Sequence, residues 1–400
     1  MPKFLKLSSF QNALDYCNIF SPIKRFEKLN IFDINHRVLY EDVYSRFSLP
    51  IADRSSVDGF AVFSEETFGS SDNTPVLLKF LGEQRVSDPP LTIENGGCVR
   101  VATGSPLPIN SNGVVMIENA KISGEFVEIY KPISYFENVL RMGEDFKNDA
   151  VLLNKGKRIN FRDCALLASA GFEKVKVYKK PSVAIISTGD EIISYDEELT
   201  ISKIYDANGP LLVNGLKDYA DTIFLGVIKD VKNDLEAKIK FAVENYDCVF
   251  ISGGSSIGER DYIEEIIGNI GEIVYHGFLV KPGKPLLLGR SGMVPIIGYP
   301  GHPLPVMVHL NLIGFPVLKK LGGDNNFYPK SERAILRDPI FSVPGRVDLI
   351  MGYKQDDLVV PLLSKSDYIS SAVKAEFIIK IPEDREIILE GEEVEIFPWD

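Results

Sequence analysis

Three apolar runs that never alternate faces constrain this chain most: VAIIS (183–187), DTIFLGVI (221–228) and DCVFISGG (247–254). A strand with one face in water shows a polar residue at every second position, so an unbroken apolar run reads as a strand covered on both sides. Between these runs lie amphipathic stretches of helical length, PLLVNGLKDYA and DLEAKIKFAVENY. Strand–helix–strand alternation of this kind predicts an α/β domain with a doubly wound parallel sheet.

That domain leaves most of the 400 residues to other cores, and a chain of this length predicts two to four domains. Ser8 or Ser9 can cap a first helix running to about Ile19, with Phe10, Ala13, Leu14 and Cys17 on one stripe. Residues 47–137 carry short runs such as PVLLKFL, GCVRVAT, GVVMIE and FVEIYKPI between Gly, Pro, Asn and Ser, the pattern of a small β domain. Residues 138–178 return to helix, with CALLASAG closing on Gly171. The α/β pattern occupies 179–323 and ends in a helix from Pro303 to Leu321, stopped by Gly322-Gly323. The tail, 324–400, reads as a second small β domain.

The net charge of −12 argues against a general nucleic-acid binder or a binder of anionic membranes, since either needs a basic face. It leaves room for a small anionic substrate, because a few lysines and helix amino-termini reverse the potential of one cleft. Cys17, Cys98, Cys164 and Cys248 lie far apart and form no CxxC pair, which disfavours a zinc site and suits a reducing cytosol. The start of the chain shows no signal-peptide pattern, and no apolar stretch approaches the ~20 residues of a membrane span. The expected location is therefore cytoplasmic.

In a doubly wound sheet, ligands bind beyond the carboxyl ends of the strands. Three such ends are rich in glycine: Ser187-Thr-Gly-Asp-Glu191, residues 252–262 (SGGSSIGERDY) and Gly298-Tyr-Pro-Gly-His-Pro303. Glycines there let backbone N–H groups approach an anion next to a helix start. Any one of these loops is equally consistent with a tight turn; three on one edge favour a site. Asp190, Glu191, Asp206 and Asp261 concentrate at the same edge. Carboxylates beside an anionic substrate repel it unless a hard cation lies between them, which points to Mg²⁺. Lys281 and Lys284 of KPGKP, bracketed by prolines, offer a cradle for an oxyanion, although two surface lysines are also commonplace. SSVDGFA (55–61) and VATGSPLP (101–108) are polar turns in the first β segment. The four histidines form no triad with a GxSxG elbow, and GxxxxGK[ST] is absent, so hydrolase and P-loop readings are weak.

SSVDGFAV, RVATGSPLP, NVLRMGEDFKNDAVLL, LLASAG, STGDEI, IYDANG, SGGSSIGERDYIEEI, KPGKPLLLG and GYPGHP follow one another as in molybdopterin molybdenumtransferases, which also form the carboxyl-terminal half of gephyrin-type proteins. From about residue 9 to 323 the chain resembles that family, and less closely beyond. The resemblance implies four domains: an elongated helical and strand domain (1–46 and 138–178), a β-barrel-like insertion (47–137), a molybdopterin-binding α/β domain (179–323) and a carboxyl-terminal β domain (324–400). It also implies a homodimer, with the active site between the α/β domain of one subunit and the insertion of the other. The implied reaction inserts molybdate into adenylyl-molybdopterin, made by a molybdopterin adenylyltransferase, and releases AMP.

The positions that match the family's functional residues are Asp58, Thr103, Asp145, Glu191, Asp206 and Asp261, with Glu191, Asp206 and Asp261 as candidate Mg²⁺ ligands. Pterin and oxyanion contacts fall on Gly253, Gly254, Ser255, Ser256, Lys281, Lys284, Pro300, His302, Pro303 and Arg346. Two departures stand out. The family usually reads Gly-Asn-Pro-Val-Ser where this chain has Gly301-His302-Pro303-Leu304-Pro305, so a molybdate-side serine is replaced by a residue with no hydroxyl and no backbone donor. That puts selectivity for molybdate over tungstate in doubt. Met351 also stands where another basic residue is common. Two other functions fit the resemblance: a molybdopterin adenylyltransferase, which usually carries GGTG where this chain has GGSS, and a non-catalytic pterin-binding scaffold.

Overall fold

The computed structural model describes residues 7–253, 262–362 and 369–399. The Ser9 hydroxyl accepts from the Asn12 N–H at 3.3 Å and caps a helix, Phe10–Asp15, that tightens into a 3-10 turn at Tyr16–Ile19. The sequence reading places this segment with the elongated domain. Phe10, Ala13, Tyr16 and Cys17 instead bury among Val183, Phe250 and Tyr299 of the α/β core. The reason is physical: the elongated domain consists largely of two-stranded ladders and has its own small core around Ile34, Leu39 and Leu167.

Those ladders tie the chain's exit to its return. Phe26–Asn30 pairs with Lys174–Tyr178, Val43–Tyr44 with Val151–Leu153, and Arg54–Ser55 with Val139–Leu140, all antiparallel. Between them lies a six-stranded sheet in the order Gly113–Met116, Gly59–Val62, Gly97–Val101, Val76–Gln84, Phe126–Ile129, Ala120–Ser123. Phe60 and Val62 join one apolar cluster and Ala61 another, so the sheet is packed on both faces.

The α/β domain contains β1 (Ser182–Thr188), α1 (Asn208–Gly215), β2 (Asp221–Ile228), α2 (Lys232–Asn245), β3 (Cys248–Ser252), α3 (Tyr262–Ile270), β4 (Glu272–His276), β5 (Leu287–Ser291) and β6 (Val294–Tyr299). Its strand order is β2-β1-β3-β6-β5-β4. The first four strands are parallel, and β5 runs against both of its neighbours. Val183 and Ile185 face one core while Ala184 and Ile186 face the other, as a doubly wound sheet requires. One expectation needs correcting. DTIFLGVI is not covered on both sides, because β2 is the outer strand. Ile223 (47%) and Phe224 (42%) are exposed, whereas every residue of β3 is buried.

After β6 comes one continuous helical stretch: α4 (Pro303–His309), a π turn at Leu310–Gly314, and α5 (Phe315–Leu321). Among the described residues it alone is long and apolar enough to cross a membrane, yet 89% of its 18-residue apolar window is buried inside the protein, which makes it a core helix. In the carboxyl-terminal domain the pairings Val347–Gln355, Leu358–Pro361, Glu332–Leu336, Glu393–Pro398 and Phe377–Ile381 return to Val347–Gln355, closing a ring. The short strand Val280–Lys281 joins that ring, with Lys281 opposite Asp348. The lysine loop is thus stitched to two domains.

Candidate active site

The first and third glycine-rich loops meet the described start of the second, Ser252-Gly253, at the carboxyl edge of β1, β3 and β6. Gly253 shows how closely: its φ is +98°, and a Cβ there would lie 2.0 Å from the Thr188 carbonyl oxygen. Only glycine lets the chain leave β3 so near to β1. The Gly253 N–H donates to the Tyr299 carbonyl at 3.2 Å, and the Asn208 side-chain N–H donates to the Gly301 carbonyl at 2.7 Å. The calls on Gly254, Ser255, Ser256 and Asp261 lie outside the described residues.

The carboxylates at this edge have different roles. Asp206 is buried and accepts from the Ser187 hydroxyl (2.7 Å) and from the N–H groups of Asn208 and Gly209 (both 3.0 Å). It therefore caps α1 and fixes the loop to β1. Three of roughly four acceptor positions on its carboxylate are taken. Glu191 is exposed, its carboxylate lying over Gly189. Asp190 accepts from the Asp230 N–H at 3.1 Å. The Tyr195 hydroxyl donates to the Asp206 carbonyl; burial, then the Asp206 charge, raises its pKa. Carboxylate oxygens suit Mg²⁺, and the exposed Glu191 and Asp190 keep open positions that Asp206 largely lacks. Among the described residues no three acidic, His or Cys side chains form a ready-made metal site. Asp206 lines a mostly apolar cleft of about 600 Å³ with Ile192, Tyr195, Pro210, Phe224 and Lys229.

The cations converge elsewhere. Lys281, Lys284 and Arg346 line one cleft of about 280 Å³, together with Leu7, Phe278, Gly283 and Pro344. Arg346 is held by its Nε–H donating to Asp348 at 2.8 Å, and Asp348 also accepts from the Ser342 hydroxyl at 3.0 Å. Pro303 is the first residue of α4 and His302 its exposed N-cap, without a side-chain capping bond. His302 is not part of the lysine cleft lining. Pro300 is buried just after β6, and Pro305 is buried in the first turn of α4. The lysine cleft and the glycine-rich edge are linked by α4 itself. Its start lies at the edge, and His309 near its end lies under Gly283, about 10 Å along the helix axis.

Asp58 and Thr103 meet on the inserted sheet. The Asp58 carboxylate accepts from the Thr103 N–H (2.7 Å) and hydroxyl (3.0 Å), and these two bonds hold its pKa below the usual aspartate range. Asp145 is exposed beside the ladder, its N–H donating to Leu49 at 3.1 Å. Sequence reasoning missed Asn208, Asp348 and His309. An Asn directly after IYDA and an Asp two residues past Arg346 were legible signals; His309, in an apolar run, gave none.

Residues 8–171 match the MoeA N-terminal region (domains I and II), 184–320 a "probable molybdopterin binding domain", and 333–399 the MoeA C-terminal region (domain IV). A molybdopterin biosynthesis protein of Methanocaldococcus jannaschii is 33% identical over 386 residues, covering 94% of this chain and 92% of that one. The chain belongs to the molybdopterin molybdenumtransferase (MoeA) family. A molybdopterin molybdenumtransferase of Staphylococcus epidermidis is 31% identical, with 78% of this chain and 75% of that one covered. The crystal structure of the MoeA protein of Pyrococcus horikoshii superposes with a TM-score of 0.84 at 34% identity, covering 99% of this chain and all of that one. The four-domain description drawn from the resemblance agrees with this MoeA fold. The closed ring of strands is the carboxyl-terminal domain. The inserted sheet is a six-strand ladder whose end strands show no mutual pairing among the described residues.

Proposed function

We propose that this chain inserts molybdate into adenylyl-molybdopterin, releasing AMP and giving the molybdenum cofactor. The observation that carries the reading is the convergence of Lys281, Lys284 and Arg346 on one cleft in a chain of net charge −12. Three converging cations suit a tetrahedral dianion, molybdate or tungstate, held as point charges and one planar fork. The glycine-rich edge, about a helix turn or two away along α4, takes the pterin and its phosphates beside the start of that helix, where glycines let a ligand approach the backbone. Glu191 would hold Mg²⁺ there, with Asp261 as the ligand that the sequence motif adds and Asp206 offering at most one further oxygen. When bound, it neutralises the phosphoanhydride oxygens; the protein's contribution is then chiefly positioning.

Asp58, Thr103 and Asp145 reach that edge from a second copy of the chain. A homodimer is supported by the exposed apolar residues Ile223, Phe224 and Val227 of the outer strand. A molybdopterin adenylyltransferase supplies the substrate, and the dispersed free cysteines fit a cytoplasmic enzyme.

The test is molybdate-dependent release of AMP from adenylyl-molybdopterin. Replacing Lys281 and Lys284 together by Ala is expected to lower turnover at least a hundredfold while the dimer persists. Turnover within a factor of three of the parent would remove the lysine cleft from the reaction. AMP attachment to free molybdopterin with MgATP and no molybdate would instead mark an adenylyltransferase.

A further inference from the structure

The lysine loop stands on a buried histidine. His309, in the last turn of α4, is fully buried, and its Nε2 lies 3.3 Å from the carbonyl oxygen of Gly283, which precedes Lys284 and follows Lys281 by two residues. Gly283 has φ +89°, and a Cβ on it would fall 2.0 Å from His309 Nε2, so imidazole and loop backbone are in direct apposition. Burial drives the imidazole pKa down to about 4, partly offset by the carbonyls of Gly283 and Pro282. The ring is therefore neutral at working pH, and an N–H on Nε2 gives the Gly283 carbonyl a second donor, from the core, beside the Leu286 N–H. Among the described residues the Nδ1 atom has no hydrogen-bond partner, so the loop carbonyls of Gly283 and Pro282 are the polar groups that orient the ring. A π turn begins at the next residue, Leu310, a local widening of the helix directly beneath the loop.

Geometry elsewhere makes this prop consequential. The loop's amino-terminal side is pinned by the pairing of Val280–Lys281 with Val347–Asp348, the strand that also carries Arg346's partner. Its carboxyl-terminal side returns through the Phe278 N–H to the Lys284 carbonyl at 2.9 Å and the Leu286 N–H to the Gly283 carbonyl at 3.2 Å. Both lysine side chains are exposed, so nothing but the backbone sets where their stems start. The apex, Gly283, is supported from below by His309.

We infer that His309 is a positioning residue for oxyanion capture: by donating to the Gly283 carbonyl from the core it fixes the spacing of Lys281 and Lys284 for a tetrahedral dianion. This rests on the reading that the lysine cleft takes molybdate. The residue touches neither oxyanion nor pterin, so its loss acts on the oxyanion and spares the chemistry.

The test uses the full chain with His309→Leu, which fills much of the same volume without a donor, and His309→Gln, which restores a neutral N–H. The readouts are equilibrium binding of molybdate to the protein, and molybdate KM and kcat for AMP release. His309→Leu is expected to weaken molybdate binding and raise its KM about tenfold, with kcat at saturating molybdate and the KM for adenylyl-molybdopterin within twofold of the parent. His309→Gln is expected to stay within threefold of the parent in both binding and KM. Parent-like molybdate affinity in folded His309→Leu would overturn the proposal, as would equal losses in both variants or a fall in kcat alone. If His309→Leu does not fold, His309→Met, also apolar, of similar volume and without a donor, takes its place and is read by the same limits. Failure of the underlying reading looks different: the parent and the Lys281→Ala, Lys284→Ala double variant would then bind molybdate equally.

Discussion

The acidic edge and the lysine cleft carry opposite charge and are built in opposite ways. At the edge the most deeply placed carboxylate, Asp206, is consumed by three donors of its own domain, and the exposed one, Glu191, is left to ligands. In the cleft the two lysines stay exposed and Arg346 is half-buried, while the groups beneath them, Asp348 and His309, are buried. A buried charged or polar group must be satisfied from within, so it becomes scaffold. The groups that remain for a substrate are those the fold leaves in water. Burial, more than residue type, separates the two roles.

The largest effect that would break this comparison concerns Asp206. Replacing it with Ala leaves the Ser187 hydroxyl and two N–H groups of α1 without their acceptor, at a cost of about 3 kcal/mol by the usual penalty per orphaned buried group. Chemical denaturation is expected to show that loss, whereas Glu191→Gln is expected to leave stability unchanged and to abolish the Mg²⁺ dependence of AMP release. If both variants denature like the parent, Asp206 is not the scaffold described.

A smaller effect, resolved by pH, sharpens the cleft side. The His309 imidazole titrates near 6.5 when unfolded and is held at about 4 when folded. The unfolded chain therefore takes up the proton first. Stability falls as pH drops below about 6.5 and levels off near 4, a loss on the order of 2 kcal/mol by pH 5. His309→Gln removes the titrating group, so its stability should decline less than the parent's over this interval. Parallel pH profiles would show that the imidazole is not buried neutral.

Much of this was legible in the residues, and the failures have physical causes. The runs around Val183 and Cys248 predict buried parallel strands because no polar residue breaks them, and both lie at the sheet centre. The run at 221–228 has the same look yet forms the edge, since strand order is set by tertiary packing and an apolar edge is kept when something else covers it. The lysine motif was legible by its prolines, but its foundation was not. His309 sits in VMVHLNLI, where a neutral buried imidazole reads as one more core residue. Nor could the sequence show that Pro305, standing where the family has serine, is buried in the first turn of α4.

The smallest expected effect tests the half of the site on the inserted sheet. Asp58 is fully exposed, yet the Thr103 N–H and, second to it, the Thr103 hydroxyl keep its carboxyl below the ordinary aspartate range. Thr103→Val removes the weaker bond and leaves the backbone donor in place. The Asp58 midpoint, followed by carboxyl NMR shifts, should rise only part of the way to that of a free aspartate. AMP release should fall several-fold at most and chiefly at the acid end of its pH profile, where the carboxylate begins to take a proton. An unshifted midpoint would mean that the hydroxyl contributes nothing to Asp58. A drop in AMP release that is uniform with pH would instead place Thr103 in contact with the substrate itself, because only a group acting through Asp58 is bound to follow its titration.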